Sequence, residues 1–241
     1  MKYLGLLAAF ICAVLLCSCN EEPKKLVALS FDDGPSDVTP LILETLQKEN
    51  IPASFFVIGS TARSETHLNL AEDAPSYDYS SFMKQAYEMG CEIGNHTWTH
   101  PYLSKLSEEE MMEEVEKTSD FIESVIGQRP TLFRPPYIDV NELMHKKIEM
   151  TFIAGIDCQD WEPSVTAEQR TQMILDKVKD GDIILMHDSP GNTPTSEAIK
   201  TLIPELKKQG YEFVTITELF KRKGVKLDVH NGIVYSNVLQ Q

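Results

Sequence analysis

The order of segments predicts an α/β protein built on a parallel sheet, closed as a barrel or left open. Short apolar runs, suited to strands covered on both faces, alternate along the chain with longer amphipathic runs at helical spacing. Each cluster of chemically versatile side chains also falls just after one of the apolar runs, where parallel barrels and open α/β sheets gather their active sites. That second observation favours the barrel.

In chain order, the expected strands are residues 26–31, 53–58, 91–94, 131–133, 151–153, 183–186 and 213–216. The helices expected between them are 39–49, 80–89, 107–126, 141–147, 167–178, 195–208 and 217–223, which makes about seven β-α units. The clearest helix is 107–126. Ser107 and Glu110 form a capping-box pattern, Met111, Val115, Thr118, Ile122 and Val125 recur at helical spacing, and Gly127 stops the helix. Residues 60–80 read as a polar loop at the rim of the cleft, and 225–238 as a small hairpin turning at His230-Asn231-Gly232. No Gly/Ser/Pro-rich linker and no repeat divides residues 26–241, so they read as one domain.

The first residues are expected to lie outside that domain. Lys2 supplies a short positive region, residues 4–16 are almost unbroken apolar chain, and the run ends in Leu16-Cys17-Ser18-Cys19. The apolar stretch falls short of the roughly 20 residues of a membrane-spanning helix and suits a signal-peptide core. Leu16-Cys17-Ser18-Cys19 resembles a bacterial lipobox. Residues 1–18 are then a removed leader, Cys19 the lipidated first residue, and 19–25 a short tether. Such a chain is expected at the cell envelope, on the periplasmic face or the outer-membrane surface, held to the membrane through its N-terminal lipid.

The net charge of −15 argues against nucleic acid and against docking on anionic lipid by charge alone, and it is neutral toward a sugar polymer. Of the five cysteines, Cys91 and Cys158 fall inside the domain. Both sit in apolar strand contexts and are expected as buried free thiols rather than as a disulfide. The protein is expected to act as a monomer.

Five clusters carry candidate chemistry. Phe31-Asp32-Asp33-Gly34-Pro35 ends the first strand. Asp-Gly-Pro is an ordinary turn, yet two adjacent acids directly after a buried strand carry repulsion and desolvation costs. Neighbouring residues point in different directions, so one acid can bind a cation while the other faces a water. His96 and His100 follow the third strand. In extended chain they would stand about 13 Å apart; in a helical turn they come to about 6 Å, which metal–nitrogen bonds of about 2 Å can close. One carboxylate and two neutral imidazoles suit a catalytic divalent metal with open positions. Arg134-Pro135-Pro136-Tyr137 ends the fourth strand: the prolines stiffen the loop and remove two donors, so the Tyr137 N–H is the next one free to face an oxyanion. Arg134 is placed to pair with an acid. Asp157-Cys158-Gln159-Asp160-Trp161 adds acids and one of only two tryptophans, either a wall of the site or ordinary core. His187 follows the strand 183–186, and its case depends on the other clusters. His67, His145 and His230 lie in polar or helical surface contexts and receive no role.

Taken in order, Ser30-Phe31-Asp32-Asp33-Gly34-Pro35, His96-Thr97-Trp98-Thr99-His100, Arg134-Pro135-Pro136-Tyr137, Asp157 to Trp161 and Leu185-Met186-His187 resemble the five motifs of the polysaccharide deacetylases, carbohydrate esterase family four or the NodB-homology domain. The resemblance spans about residues 26–222. It implies a distorted (β/α)7 barrel. It also implies a divalent cation, usually zinc and sometimes cobalt or nickel, on Asp33, His96 and His100. Asp32 would be the general base, oriented by Arg134, and the Tyr137 N–H part of the oxyanion site. Trp161 and Leu185 would line the acetyl pocket, and His187 would be the general acid, supported by Asp160. The implied reaction is N- or O-deacetylation of a glycan. Peptidoglycan or chitin-like N-acetyl sugars are favoured; an acetyl xylan esterase and a non-catalytic glycan-binding protein are the alternatives. Ile138 stands where many relatives have glycine, and Cys91 where histidine is common.

Overall fold

The computed structural model describes residues 24–63 and 79–240. The expected leader, Cys19, most of the tether, His67 and positions 64–78 of the expected rim loop lie outside the described residues. Among the described residues, no helix is long and apolar enough to cross a membrane.

The elements run β1 (Lys25–Asp32), α1 (Thr39–Glu49), β2 (Ser54–Val57), α2 (Gly59–Ala62), α3 (Ser80–Glu88), β3 (Glu92–Asn95), α4 (Glu108–Ile126), β4 (Leu132–Phe133) and α5 (Glu142–Lys147). They continue with β5 (Thr151–Phe152), β6 (Ile156–Asp157), α6 (Ala167–Leu175), β7 (Ile183–His187), α7 (Thr193–Lys208), β8 (Tyr211–Phe213) and α8 (Ile216–Arg222). The strands form one parallel sheet in the order β5-β4-β3-β2-β1-β7-β6, with β8 also on β1. This is the curled, incompletely closed (β/α)7 barrel that the sequence led us to expect.

β1 is the hub. Its upper residues pair with β7 on one edge and β2 on the other, while Lys25–Val27 pair with β8. Alternation along the strand then divides its side chains. Val27, Leu29 and Phe31 pack outward among Ile42, Leu46, Ile199 and Leu202 of α1 and α7. The opposite face carries Leu26, Ala28, Ser30 and Asp32. It begins in an apolar cluster with Phe56, Ile183, Leu219 and Phe220 and ends in polar groups. One face therefore climbs from core to site within a single strand.

Four expectations need correction. The last strand is Tyr211–Phe213, not 213–216. Thr215 accepts a hydrogen bond from the Glu218 N–H and so caps α8, which draws Ile216 into the helix despite its β-branched character. β6 was not expected; unlike the equally short β4 and β5 it is only half-buried and ends in Asp157, so no apolar run marks it. The tail at 225–238 is not a hairpin. Tyr235 bridges Ile153 in parallel and Asn237 bridges Asp182 antiparallel, so the tail stitches β5 to the approach of β7. Tyr235 and Val238 join the interior apolar cluster and close the barrel where the sheet leaves it open. Residues 60–62, the start of the expected rim loop, belong instead to the short helix α2. The 107–126 helix agrees down to its capping box, and Cys91 and Cys158 are buried free thiols.

Candidate active site

Parallel pairing brings the strand ends to one rim. Asp32 is in register with His187 on one side and Phe56 on the other, Val57 with Asn95, and Asn95 with Phe133. Asp32 and His187 thus stand one strand spacing apart, about 4.8 Å between backbones. At this rim a cleft of about 440 Å³ is lined by Asp32, Asp33, His96, His100, Tyr137, Trp161, Leu185 and His187, together with Pro135, Ile138, Gly155 and Asp157.

Asp32 is buried and fixed by Arg134, itself wholly buried. Arg134 Nη1 donates to Asp32 Oδ1 at 2.5 Å, and Nη2 donates to Ser30 Oγ at 2.9 Å and to the Ala154 carbonyl at 2.7 Å. The Arg134 guanidinium also lies 4.1 Å from the Phe56 ring centroid. The expected Arg134–Asp32 pairing is therefore met, with Asp32 Oδ2 left toward the cleft side, 3.8 Å from His96 Nε2.

Asp33 leaves the strand with φ 74°, and its carboxylate lies on the same side of His96 as that of Asp32 without sharing its Arg134 partner. Its Oδ1 is 3.4 Å from both His96 Nε2 and His100 Nε2, and ligand atoms of the three residues all lie within 4.8 Å of one another. Burial works to raise the Asp33 pKa, but the neighbouring imidazoles outweigh it and hold it down to about 2. Two observations show that this triad fits a cation. Asp33 Oδ1 is buried without a hydrogen-bond partner. His96 Nδ1 donates to the Arg134 carbonyl at 2.6 Å, which fixes the tautomer and leaves the Nε2 lone pair facing Asp33. The chain builds the histidine turn at some conformational cost: Thr97 and His100 both have positive φ. Glu114 of α4 stabilises it, its carboxylate accepting from Trp98 N at 2.9 Å, Thr99 N at 2.7 Å and Thr99 Oγ1 at 2.7 Å.

The Arg134-Pro135-Pro136-Tyr137 loop ends in a 3₁₀ turn at Pro136–Ile138, with Tyr137 at φ 60° and ψ 10°. The N–H groups of Ile138 and Asp139 donate back to Pro135 and Pro136 carbonyls, so the turn consumes them. The half-exposed Tyr137 ring stacks on Tyr102 at 3.9 Å and meets His100 edge-on at 4.7 Å.

Across the cleft, His187 Nδ1 donates to Asp160 Oδ1 at 2.7 Å, and the His187 N–H to Asp160 Oδ2 at 2.7 Å. Burial alone would lower the His187 pKa; the hydrogen bond and charge of Asp160, with Asp32 and Asp33 behind, outweigh it and push it up to about 9. Trp161 is 51% exposed with its ring 5.7 Å from that of His187, a wall of the cleft and not core. Leu185 is buried at the floor.

Every domain residue given a catalytic, metal or substrate role in the sequence reaches this site; Arg134 and Asp160 support it from behind. His145 packs against Phe152 and His230 lies at the surface near Glu149, as expected. Glu114, Asp188 and Asn95 were missed. Asp188 accepts from Gly34 N at 3.1 Å and from Thr39 Oγ1, and a Cβ on Gly34 would meet it at 2.0 Å, so only glycine fits behind the Asp32-Asp33 turn. Asn95 Nδ2 donates to α4 through the Val115 carbonyl and Ser119 Oγ, while its Oδ1 accepts from Thr97 N.

A family model described as polysaccharide deacetylase matches residues 20–153. The chain belongs to the polysaccharide deacetylase family. This deacetylase-family chain is 41% identical over 219 residues to a bifunctional xylanase/deacetylase of Pseudobutyrivibrio xylanivorans, covering 91% of this chain and 34% of that protein. It is 38% identical over 209 residues to the peptidoglycan-N-acetylglucosamine deacetylase PgdA of Listeria monocytogenes, covering 84% and 41%. The chain thus spans 34% to 41% of the length of these relatives. Among solved structures, a family 4 acetyl xylan esterase from Clostridium thermocellum in complex with a cobalt ion superposes with a TM-score of 0.81 at 37% identity, covering 90% of this chain and 100% of that one.

Proposed function

We propose that this chain hydrolyses acetyl groups on a polysaccharide, with a divalent cation, zinc by preference, held by Asp33, His96 and His100. The observation that carries the reading is the juxtaposition of three things in one cleft: a carboxylate–imidazole triad with an unpartnered buried oxygen, a separate buried carboxylate, and an imidazole pushed toward protonation. The bound cation would polarise the acetyl carbonyl and increase the acidity of a water.

Asp32, oriented by Arg134, takes the proton as that water's oxygen adds to the carbonyl carbon. The Tyr137 N–H donates to the oxygen that gains the electron pair. Protonated His187, steadied by Asp160, gives its proton to the leaving nitrogen or oxygen as the C–N or C–O bond breaks, releasing acetate and the free amine or hydroxyl. Trp161 and Leu185 form the apolar walls against which the acetyl methyl packs.

N-acetyl sugars of peptidoglycan or chitin-like oligomers remain the favoured substrates. O-acetyl xylan is the second reading, supported by the likeness to the acetyl xylan esterase. The test is acetate release from peptidoglycan, chitooligosaccharides and acetylated xylan, with metal-stripped and zinc-restored protein. Release that depends on zinc is expected from one class. No release from any of them, with zinc bound, would leave a non-catalytic binder. We also propose Cys19 as the lipid-bearing residue: incorporation of labelled fatty acid is expected in the intact protein and should vanish in Cys19→Ser.

A further inference from the structure

Behind Asp160 lies a second buried guanidinium that the chemistry above does not use. Arg170, on α6, is 1% exposed, and its hydrogen bonds all go to neutral oxygens. Nε donates to the Val165 carbonyl at 3.0 Å, Nη2 to the Glu162 carbonyl at 3.5 Å, and Nη1 to both Asn192 Oδ1 at 2.6 Å and Thr195 Oγ1 at 2.9 Å. Those last two acceptors are the groups that touch Asp160 from the far side.

Their orientation follows from donor counting. A threonine hydroxyl has one hydrogen. With its oxygen accepting from Arg170, that hydrogen is directed to Asp160 Oδ2, 2.7 Å away. The Asn192 amide has one oxygen, and Arg170 holds it. Its Nδ2 therefore faces the other way, 3.2 Å from the His187 carbonyl and 3.5 Å from Asp160 Oδ2. A cation on the outer side of both groups makes both donate inward.

Resting on the deacetylase reading, we propose that Arg170 is a positioning residue for the general acid, acting through Thr195 and Asn192 to fix the Asp160 carboxylate on which His187 is aimed. The consequence is selective. Only the step in which His187 hands over its proton should depend on Arg170. An N-acetyl or alkyl O-acetyl sugar needs that proton, whereas an aryl acetate such as 4-nitrophenyl acetate has a leaving group that departs without it.

The test uses zinc-loaded Arg170→Met, Thr195→Val, Thr195→Ser and the Arg170→Met/Thr195→Val double variant. On whichever acetylated glycan the intact protein accepts, kcat should fall about tenfold in Arg170→Met and Thr195→Val, part of the roughly 10²–10⁴ that general acid–base help is worth. KM and the rate on 4-nitrophenyl acetate should stay within about twofold. Thr195→Ser keeps the hydroxyl and should retain the intact rate, and the double variant should lose no more than the worse single one, because both cut the same chain of contacts. Independently of turnover, the proton NMR signal of His187 Nδ1–H, expected far downfield in its bond to Asp160, should shift or broaden in Arg170→Met and Thr195→Val but not in Thr195→Ser.

Equal losses on glycan and aryl ester, or a Thr195→Ser variant as impaired as Thr195→Val, would overturn the proposal. An Nδ1–H signal unchanged by both disruptive variants would do the same. Should Arg170→Met fail to fold, the Thr195 pair still decides it. Absence of acetate release from intact protein would sink the enzymatic reading instead, while the NMR comparison would still judge the positioning role.

Discussion

Two carboxylates that are neighbours in sequence serve different partners because the chain turns between them. Asp32 is still in the strand and meets Arg134, while Asp33 has left it at positive φ and meets two imidazoles. Asp33→Ala or His100→Ala should therefore remove the cation, read as zinc per chain after gel filtration. Asp32→Asn should keep zinc and lose about 10² or more in kcat. Zinc lost equally from all three would mean that Asp32 is a ligand. The His187–Asp160 pair makes a pH prediction. An acid works only while protonated, and Asp160 helps hold His187 protonated up to about pH 9. Asp160→Asn removes that support, the His187 pKa falls, and the basic limb of the kcat profile should move to lower pH. An unmoved limb would assign it to another group.

Elements matter here as holders of turns. α4 presents Glu114 to the two N–H groups between His96 and His100, and α2 brings Gly59 under the Trp98 ring, where an added Cβ would meet the ring at 2.3 Å. Glu114→Ala is expected to weaken zinc binding about 10–100-fold, the usual range for groups supporting a ligand, without removing any ligand. Competition with a chromophoric chelator measures it; unchanged affinity would mean that the turn holds its shape unaided. Sequence made the site residues and two of their supports, Arg134 and Asp160, legible, and left the remaining supports invisible. His96, His100 and Asp33 stand out because such residue types are costly after buried strands. Glu114 is one glutamate in a helix that begins Glu108-Glu109-Glu110, and Arg170 reads as an ordinary polar position on α6, so nothing local marks either.

Closure of the barrel shows the other limit of sequence reading. The other seven strands announced themselves by apolar runs, β4 and β5 included though only two residues of each pair, whereas β6 and the tail carry no such run. The tail's role comes from distant partners, Ile153 and Asp182, that turn chemistry at His230-Asn231-Gly232 does not report. Tyr235 is 4% exposed, packs edge-on against Phe220 at 4.9 Å and accepts from Asn231 Nδ2 at 2.7 Å. Tyr235→Ala should cost about 3 kcal/mol, the low end for deleting a buried aromatic, and should lower the midpoint of denaturant unfolding without changing zinc content. A midpoint within error of the intact protein would show that the tail is ornament rather than closure.

β1 has a further consequence. The first strand of this sheet is clasped by β7 and β8, which come much later in the sequence. A growing polypeptide therefore carries Asp32 and Asp33 without the β7 wall until residue 187 has emerged from the ribosome. Local helices can form early, but the rim that unites the acids with His187 is a late event. Fragments ending before β7 should be unable to hold zinc at this rim with the affinity of the finished chain.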